Sequence, residues 1–216
     1  MKIFPIFSTI LYPAEVKVSN EQTNELMHIA KHMDWAIPGG ETNTWSKSSS
    51  IIKDTKELHW LGQSIFESFN TFKNEVLRYE KTEFVMTTSW MTYTPPGFAT
   101  SYHNHRNSMW SGVFYFGNEE GKSTGIRFAD FQNRMNGFFV EPTEDNEWNC
   151  LSWDWYPKNN SVLFFPSMTP HTLLKNKAKQ TRYSIAFNLM PIGLCGMGDS
   201  TATYEKHNNY LEQSDK

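Results

Sequence analysis

The sequence is short of cysteine, of long apolar runs and of charge of one sign, and each shortage closes off a class of protein. Only two cysteines, Cys150 and Cys195, occur among 216 residues. They do not stand at metal-ligand spacing, and one disulfide is thin support for export, so a reduced, cytoplasmic setting is the simpler expectation. No apolar stretch approaches the roughly 20 residues that span a bilayer, which argues against a membrane protein. The net charge of −3 and pI near 6.2 give no electrostatic pull toward nucleic acid. The opening run Met1-Lys2-Ile3-Phe4-Pro5-Ile6-Phe7 carries one positive charge, is interrupted by Pro5 and has no small-x-small cleavage site. It reads as an N-terminal strand rather than a signal peptide. There is no internal repeat and no low-complexity segment.

What is plentiful is aromatic. Phe, Tyr and Trp make up 15% of the chain, a level that marks a globular protein, because disordered segments are poor in these residues. The length suits one domain with a full core. We expect that domain over residues 1–200, followed by a loose polar tail over 201–216.

Residues 3–18 alternate and read as one or two entry strands. Ser19 with Gln22 three residues on has capping-box spacing. Leu26, Ile29, Ala30 and Met33 then mark one face of a helix over about 19–33, which Pro38-Gly39-Gly40 closes. Residues 41–55 are polar and read as a loop. A second helix is expected over about 57–80, with Leu61, Ile65, Phe69, Phe72 and Val76 as its buried stripe. Beyond Lys81 short β-branched and aromatic runs alternate with turns. Strands are expected near 83–93, 99–104, 111–117, 125–130, 136–141, 161–166, 171–175 and 182–190. Many short strands of this kind make a mainly β sandwich or barrel, with the two helices packed outside it.

Of seven histidines, three stand out by context. His103 and His105 are two residues apart, and on extended backbone residues i and i+2 share a face. His171 begins a later strand after an apolar strand and a turn, and a barrel can bring it to the same point. Three ligands on one side leave open positions opposite, as a catalytic metal needs, although imidazole alone does not choose between iron, zinc, copper and nickel. Taken by itself, a His-x-His pair is more often a surface or core pair than a metal site. Arg182 starts the alternating run Arg182-Tyr183-Ser184-Ile185-Ala186-Phe187-Asn188. If it faces inward, an anion must meet it, and its planar fork suits a carboxylate. An exposed arginine on a strand edge is the bland alternative.

Other signals are weaker. His28 and His32 are four apart, but no Glu follows His28 as a metalloprotease helix requires. The glycines of residues 191–198 lack the lysine of a phosphate loop. Asp145, Glu147 and Asp154, with Trp148, Trp153 and Trp155, mark an insertion that reads either as a substrate mouth or as an anchored loop.

These motifs in this order resemble the 2-oxoglutarate/Fe(II)-dependent oxygenases. The stretch from His103 to Phe116, with H-x-H and then S-G-V-x-Y, is similar to a branch of small bacterial and phage members. So are Gly125 to Asp130, Ser161 to His171, Arg182 to Asn188, and the opening Ile3-Phe4-Pro5-Ile6. The resemblance implies a double-stranded β-helix, or jelly roll. It implies Fe(II) on His103, His105 and His171, and 2-oxoglutarate with its far carboxylate on Arg182. Tyr115 and Tyr93 are carried over as hydroxyls that hold the cosubstrate, each with a core aromatic as the alternative. The implied reaction uses O2 and an unidentified substrate, in the cytoplasm of a bacterium or a phage-infected cell. A homodimer is carried as one option, because jelly-roll faces and edges often pair.

One departure matters. Most of that superfamily has a carboxylate where this chain has His105. A carboxylate would reduce the charge of Fe(II) to +1, whereas three neutral imidazoles leave it at +2. A different metal enzyme on the same scaffold, such as a three-histidine dioxygenase or isomerase, and a non-enzymatic jelly-roll module are the competing readings. Arg182 separates them, since only the oxygenase needs an anion there.

Overall fold

The computed structural model describes residues 4, 6–37, 42–117, 123–130, 140–207 and 210–212. The described strands are β1 (Tyr12–Glu15), β2 (Thr44–Trp45), β3 (Glu83–Thr94), β4 (Trp110–Phe116), β5 (Ile126–Ala129), β6 (Ser152–Trp155), β7 (Ser161–Pro166), β8 (His171–Leu173), β9 (Arg182–Cys195), β10 (Ala202–Tyr204) and β11 (Leu211–Glu212). The α-helices are α1 (Asn20–Lys31), α2 (Ile51–Asp54) and α3 (His59–Thr71). An eight-stranded sheet runs β1-β7-β4-β9-β3-β11, with β2 on β3 and β10 on β9, and a smaller sheet runs β6-β5-β8. All named pairings are antiparallel. This is the expected jelly roll with helices outside.

The large sheet has two faces of different chemistry. Phe114 and Phe116 on β4, Val162 and Phe164 on β7, and Ile185, Phe187 and Leu189 on β9 join Leu26, Leu61, Ile65 and Phe69 in one core under the helices. The residues between them turn the other way. Val113, Tyr115, Leu163, Phe165 and Ala186 pack against Ile126 and Phe128 of the small sheet. The period of two along each strand makes this division. On β3 the register slips between Met86 and Thr88. That bulge reverses the parity, so Phe84 and Met86 before it and Met91 after it all reach the helix side, while Trp90 packs on the inner side.

Close approach explains one glycine. Gly112 lies opposite Phe187, and a Cβ there would run into the Phe187 ring. The ring therefore fills the helix-side core only because that position on β4 has no side chain.

The helices follow their sequence signals with two differences. Ser19 accepts from the Gln22 backbone at 3.1 Å and the Gln22 side chain accepts from the Ser19 backbone at 2.8 Å, the expected capping box. The second helix ends at Val76 rather than near residue 80. Its last turn is wide, with the Leu77 N–H donating to the Phe72 carbonyl, five residues back. The extra residue rotates Val76 out of the predicted stripe and leaves it 54% exposed. The buried Lys73 ammonium then donates to the Tyr79 and Thr82 carbonyls and closes the connection to β3.

Several expectations are corrected. Residues 41–55 contain β2 and α2, elements too short to show periodicity. The expected strand over 99–104 reduces to a single bridge between His103 and His171. β6 was not anticipated. The tail contains β10 and β11, and Leu211 packs into the helix-side core. The expected strand near 136–141 falls mostly on residues outside the described ones, as do Pro38-Gly39-Gly40 and most of the first six residues.

Candidate metal centre

The three histidines come together at one end of the space between the sheets. Their ring centroids lie 4.4 Å (His103–His171), 5.1 Å (His105–His171) and 5.3 Å (His103–His105) apart. One ligand atom from each lies within 4.8 Å of the others, so the group could hold a metal ion. Backbone pairing brings them there. His103 and His171 exchange N–H to carbonyl bonds of 3.0 and 2.9 Å, and the His105 N–H donates to the Ser167 carbonyl at 2.9 Å. The segment before β4 is thereby tied to the turn between β7 and β8.

Two rings are preset for ligation. Nδ1 of His103 lies 2.9 Å from the Ser101 carbonyl, and Nδ1 of His171 lies 2.9 Å from the Thr169 carbonyl. A carbonyl can only accept, so each Nδ1 carries the proton and each Nε2 keeps a lone pair for a metal. Burial, with smaller effects from the neighbouring histidines, lowers the pKa of His171 to about 3; its Thr169 contact opposes the shift. Burial and His103 lower that of His105 to about 4. Both are therefore neutral near pH 7, which is the ligating form.

Arg182 lies deeper between the sheets. Its side chain is buried, and Nη1 donates to the Gly125 carbonyl at 3.1 Å. Nε and Nη2 are buried with no hydrogen-bond partner among the described residues, and the same holds for the Tyr115 hydroxyl. The guanidinium carbon sits 5.1 Å from the Tyr115 ring centroid. Burial lowers the Arg182 pKa and raises that of Tyr115. Two cationic N–H groups and a hydroxyl thus lie side by side without a geometrically satisfied hydrogen bond among the described residues, an arrangement that costs free energy unless an anion fills it. His171 pairs with Phe128, and Arg182 reaches Gly125 at the start of the same stretch. Three residues of strand, about 10 Å, separate those two levels. Between them the floor of the large sheet is made of small groups, Ala186, Ser184 and Thr92, the last two joined at 2.6 Å.

Tyr93 is not brought to this place. It pairs with Tyr183 and lies 5.4 Å from the Trp35 ring and 5.6 Å from Tyr183, on the helix side of the sheet. Arg182 pairs instead with Thr94, one residue on, and faces inward. The bulge at Thr87 is the reason: counted from Phe84 and Met86, Tyr93 falls on the inner side, and the slipped register puts it outside.

Sequence reasoning missed other contributors. Trp90 packs its ring 5.4 Å from His105. Ser108, Ser111, Ser167 and Asn188 form a hydrogen-bonded set beside the triad. In the tryptophan-rich insertion, Asp154 pairs with Arg127 at 2.5 and 2.7 Å, away from the site. Trp153 lies in one cross-strand row with Phe128 and His171 and is 40% exposed. Only alternation within β6, unseen in the sequence, separates the two roles.

Comparison with known proteins follows the same lines. Residues 88–188 match the family described as "Putative 2OG-Fe(II) oxygenase". No curated protein matches the chain. Among solved structures, the 2-oxoglutarate-dependent non-haem epimerase SnoN of nogalamycin biosynthesis is similar over 95% of this chain and 92% of its own, with a TM-score of 0.66 at 8% identity. HygX from Streptomyces hygroscopicus, solved with nickel and 2-oxoglutarate, is similar over 85% and 84%, with a TM-score of 0.57 at 8% identity. A Pseudomonas putida prolyl-4-hydroxylase covers 82% and 91%, with a TM-score of 0.52 at 14% identity. At such identities the structures establish the shared fold.

Proposed function

We propose that this chain, matched over residues 88–188 to the 2-oxoglutarate/Fe(II) oxygenases, holds Fe(II) on His103, His105 and His171, anchors 2-oxoglutarate on Arg182, and hydroxylates a further substrate. The observation that carries the reading is the buried Arg182 fork with two donor groups unmatched among the described residues. A terminal carboxylate supplies what that fork lacks, and the Tyr115 hydroxyl beside it offers a third contact. The triad fits the metal: three imidazoles on one side, two with Nδ1 already committed to a carbonyl so that Nε2 is the atom left to ligate, leave the opposite side for a chelating ligand. Imidazole ligands carry no charge, so the ion would keep its full +2, which the dianion 2-oxoglutarate balances.

When bound, Fe(II), 2-oxoglutarate and O2 supply the oxidising chemistry: one oxygen atom enters succinate as carbon dioxide leaves, and the other enters the substrate as a hydroxyl group. The chain's own share is placement and exclusion of water. Phe128 and Phe165 wall the triad, their rings 6.0 and 4.8 Å from that of His171. Ala186 and Ser184 keep the floor low where the cosubstrate lies. No side chain is asked to act as acid or base. The substrate approaches past Trp153, the exposed end of the row that runs through Phe128 to His171. The two free cysteines fit a reduced cytoplasm, and no helix among the described residues is long and apolar enough to cross a membrane.

The test is anaerobic addition of Fe(II) and 2-oxoglutarate, followed by air. A visible charge-transfer band and then succinate are expected. Absence of both overturns the reading.

A further inference from the structure

The three histidines are not held alike. His103 and His171 each fix their own ring on a carbonyl two residues back. His105 has no ring hydrogen bond among the described residues. It is placed by its backbone N–H on the Ser167 carbonyl and by the nearby Trp90 ring. Ser167 is in turn held by its side chain. Its Oγ lies 2.8 Å from Ser111 Oγ and 3.0 Å from Ser108 Oγ, so its one hydrogen is shared between two acceptors. Ser108 donates to the Trp110 and Leu189 carbonyls at 3.0 and 3.2 Å. Ser111 donates to Asn188 Oδ1 at 2.7 Å, and Asn188 Nδ2 donates to Thr88 Oγ1 at 2.9 Å. The set therefore runs from the bulged part of β3, across β9 and β4, to the turn on which His105 rests. Ser111 and Ser167 are both 1% exposed, so water does not replace a missing partner there.

We propose that Ser108, Ser111, Ser167 and Asn188 form a positioning device for His105, the one ligand whose ring makes no hydrogen bond among the described residues. The inference rests on the reading that the triad binds a metal. Removing the Ser111 hydroxyl leaves Asn188 Oδ1 without its donor and Ser167 with one acceptor fewer. The turn at Ser167 then shifts, and the His105 backbone shifts with it. His103 and His171 are in addition tied to each other by a pair of backbone hydrogen bonds that His105 lacks. The device acts, through the His105 backbone, at the position where this chain departs from the carboxylate ligand of the wider superfamily.

The experiment is a double-mutant cycle read by Co(II) affinity and by the Co(II) absorption spectrum, without cosubstrate or turnover. Ser111→Ala is expected to weaken Co(II) binding roughly tenfold in the otherwise native chain, and to leave the weaker binding of His105→Ala unchanged. Ser108→Ala removes only one of the two acceptors of Ser167. It is expected to act in the same direction with a smaller loss, and it carries the same cycle if Ser111→Ala does not fold. Equal losses with and without His105 would mean a general loosening and would overturn the proposal, as would no loss in either background. If the native chain binds no Co(II), the metal reading falls and the proposal falls with it. If the native chain binds Co(II) and the cycle shows no coupling, the proposal alone falls.

Discussion

Phe114 and Tyr115 are neighbours on β4, both fully buried, and they serve opposite ends. Phe114 joins Phe69, Phe164 and Phe187 under the helices, in a core made almost wholly of apolar rings and branched chains. Tyr115 looks the other way, toward an arginine with unmatched donors. The same division runs across the sheet: Phe187 against Asn188, Ile185 against Ser184. One face is packed to hold the fold. The other face of the same strands carries buried polar groups that an efficient core would exclude. The helix-side core therefore stabilises a sheet whose inner face is left costly, and the cost points to the site.

Truncation on the helix side gives the largest effect on stability. Phe164→Ala removes a fully buried ring and is expected to cost about 3–5 kcal/mol, while the fraction that remains folded binds metal normally. Denaturant titration with a parallel Co(II) titration measures both. A loss of metal affinity in the folded fraction would break the separation of the two faces. Gly112→Ala is the converse, an added atom against Phe187, and is expected to cost about 1–3 kcal/mol by overpacking; an unchanged melting temperature would show that the ring has room to move.

How far the division was legible in the sequence varies by residue. His103 and His105 were legible because i and i+2 share a face, and Arg182 because its strand alternates cleanly. The capping box at Ser19 and the stripe through Leu61 and Phe69 were likewise local patterns. Tyr93 was carried over from the resemblance with a core aromatic as the alternative, and it lies on the helix side because the bulge on β3, which no local pattern shows, sends every later side chain to the other face. Val76 was misplaced for a similar reason, a widened helical turn. The set that joins Thr88, Ser108, Ser111, Ser167 and Asn188 spans a hundred residues of chain, and no spacing rule connects them. β2, β6, β10 and β11 are too short for a period to show.

Smaller effects sharpen the comparison on the inner face. His105 and His171 titrate at about 4 and about 3 in the fold, against an ordinary value near 6.5. Between those values the unfolded chain binds more protons than the folded one. The stability of the metal-free protein is therefore level above pH 6.5 and falls as the pH drops below it. Urea unfolding in a chelator at stepped pH reads this, and a flat profile between pH 6.5 and 4.5 would contradict the burial of both rings. Tyr115→Phe removes a hydroxyl that has no hydrogen-bond partner among the described residues. Little change in stability and a several-fold weaker hold on 2-oxoglutarate are expected from calorimetry, and a clear loss of stability would mean the hydroxyl serves the fold instead.

The central claim is that the buried Arg182 fork waits for the far carboxylate of 2-oxoglutarate. Arg182→Met tests it most directly, with Co(II) affinity, 2-oxoglutarate affinity and melting temperature measured on the same preparation. The account predicts that 2-oxoglutarate binding is lost, that Co(II) binding stays within about twofold, and that the ligand-free protein melts no lower, because an unpaired buried cation has been replaced by an apolar chain. Unchanged 2-oxoglutarate affinity with a sharply lower melting temperature would contradict it and make Arg182 a structural residue.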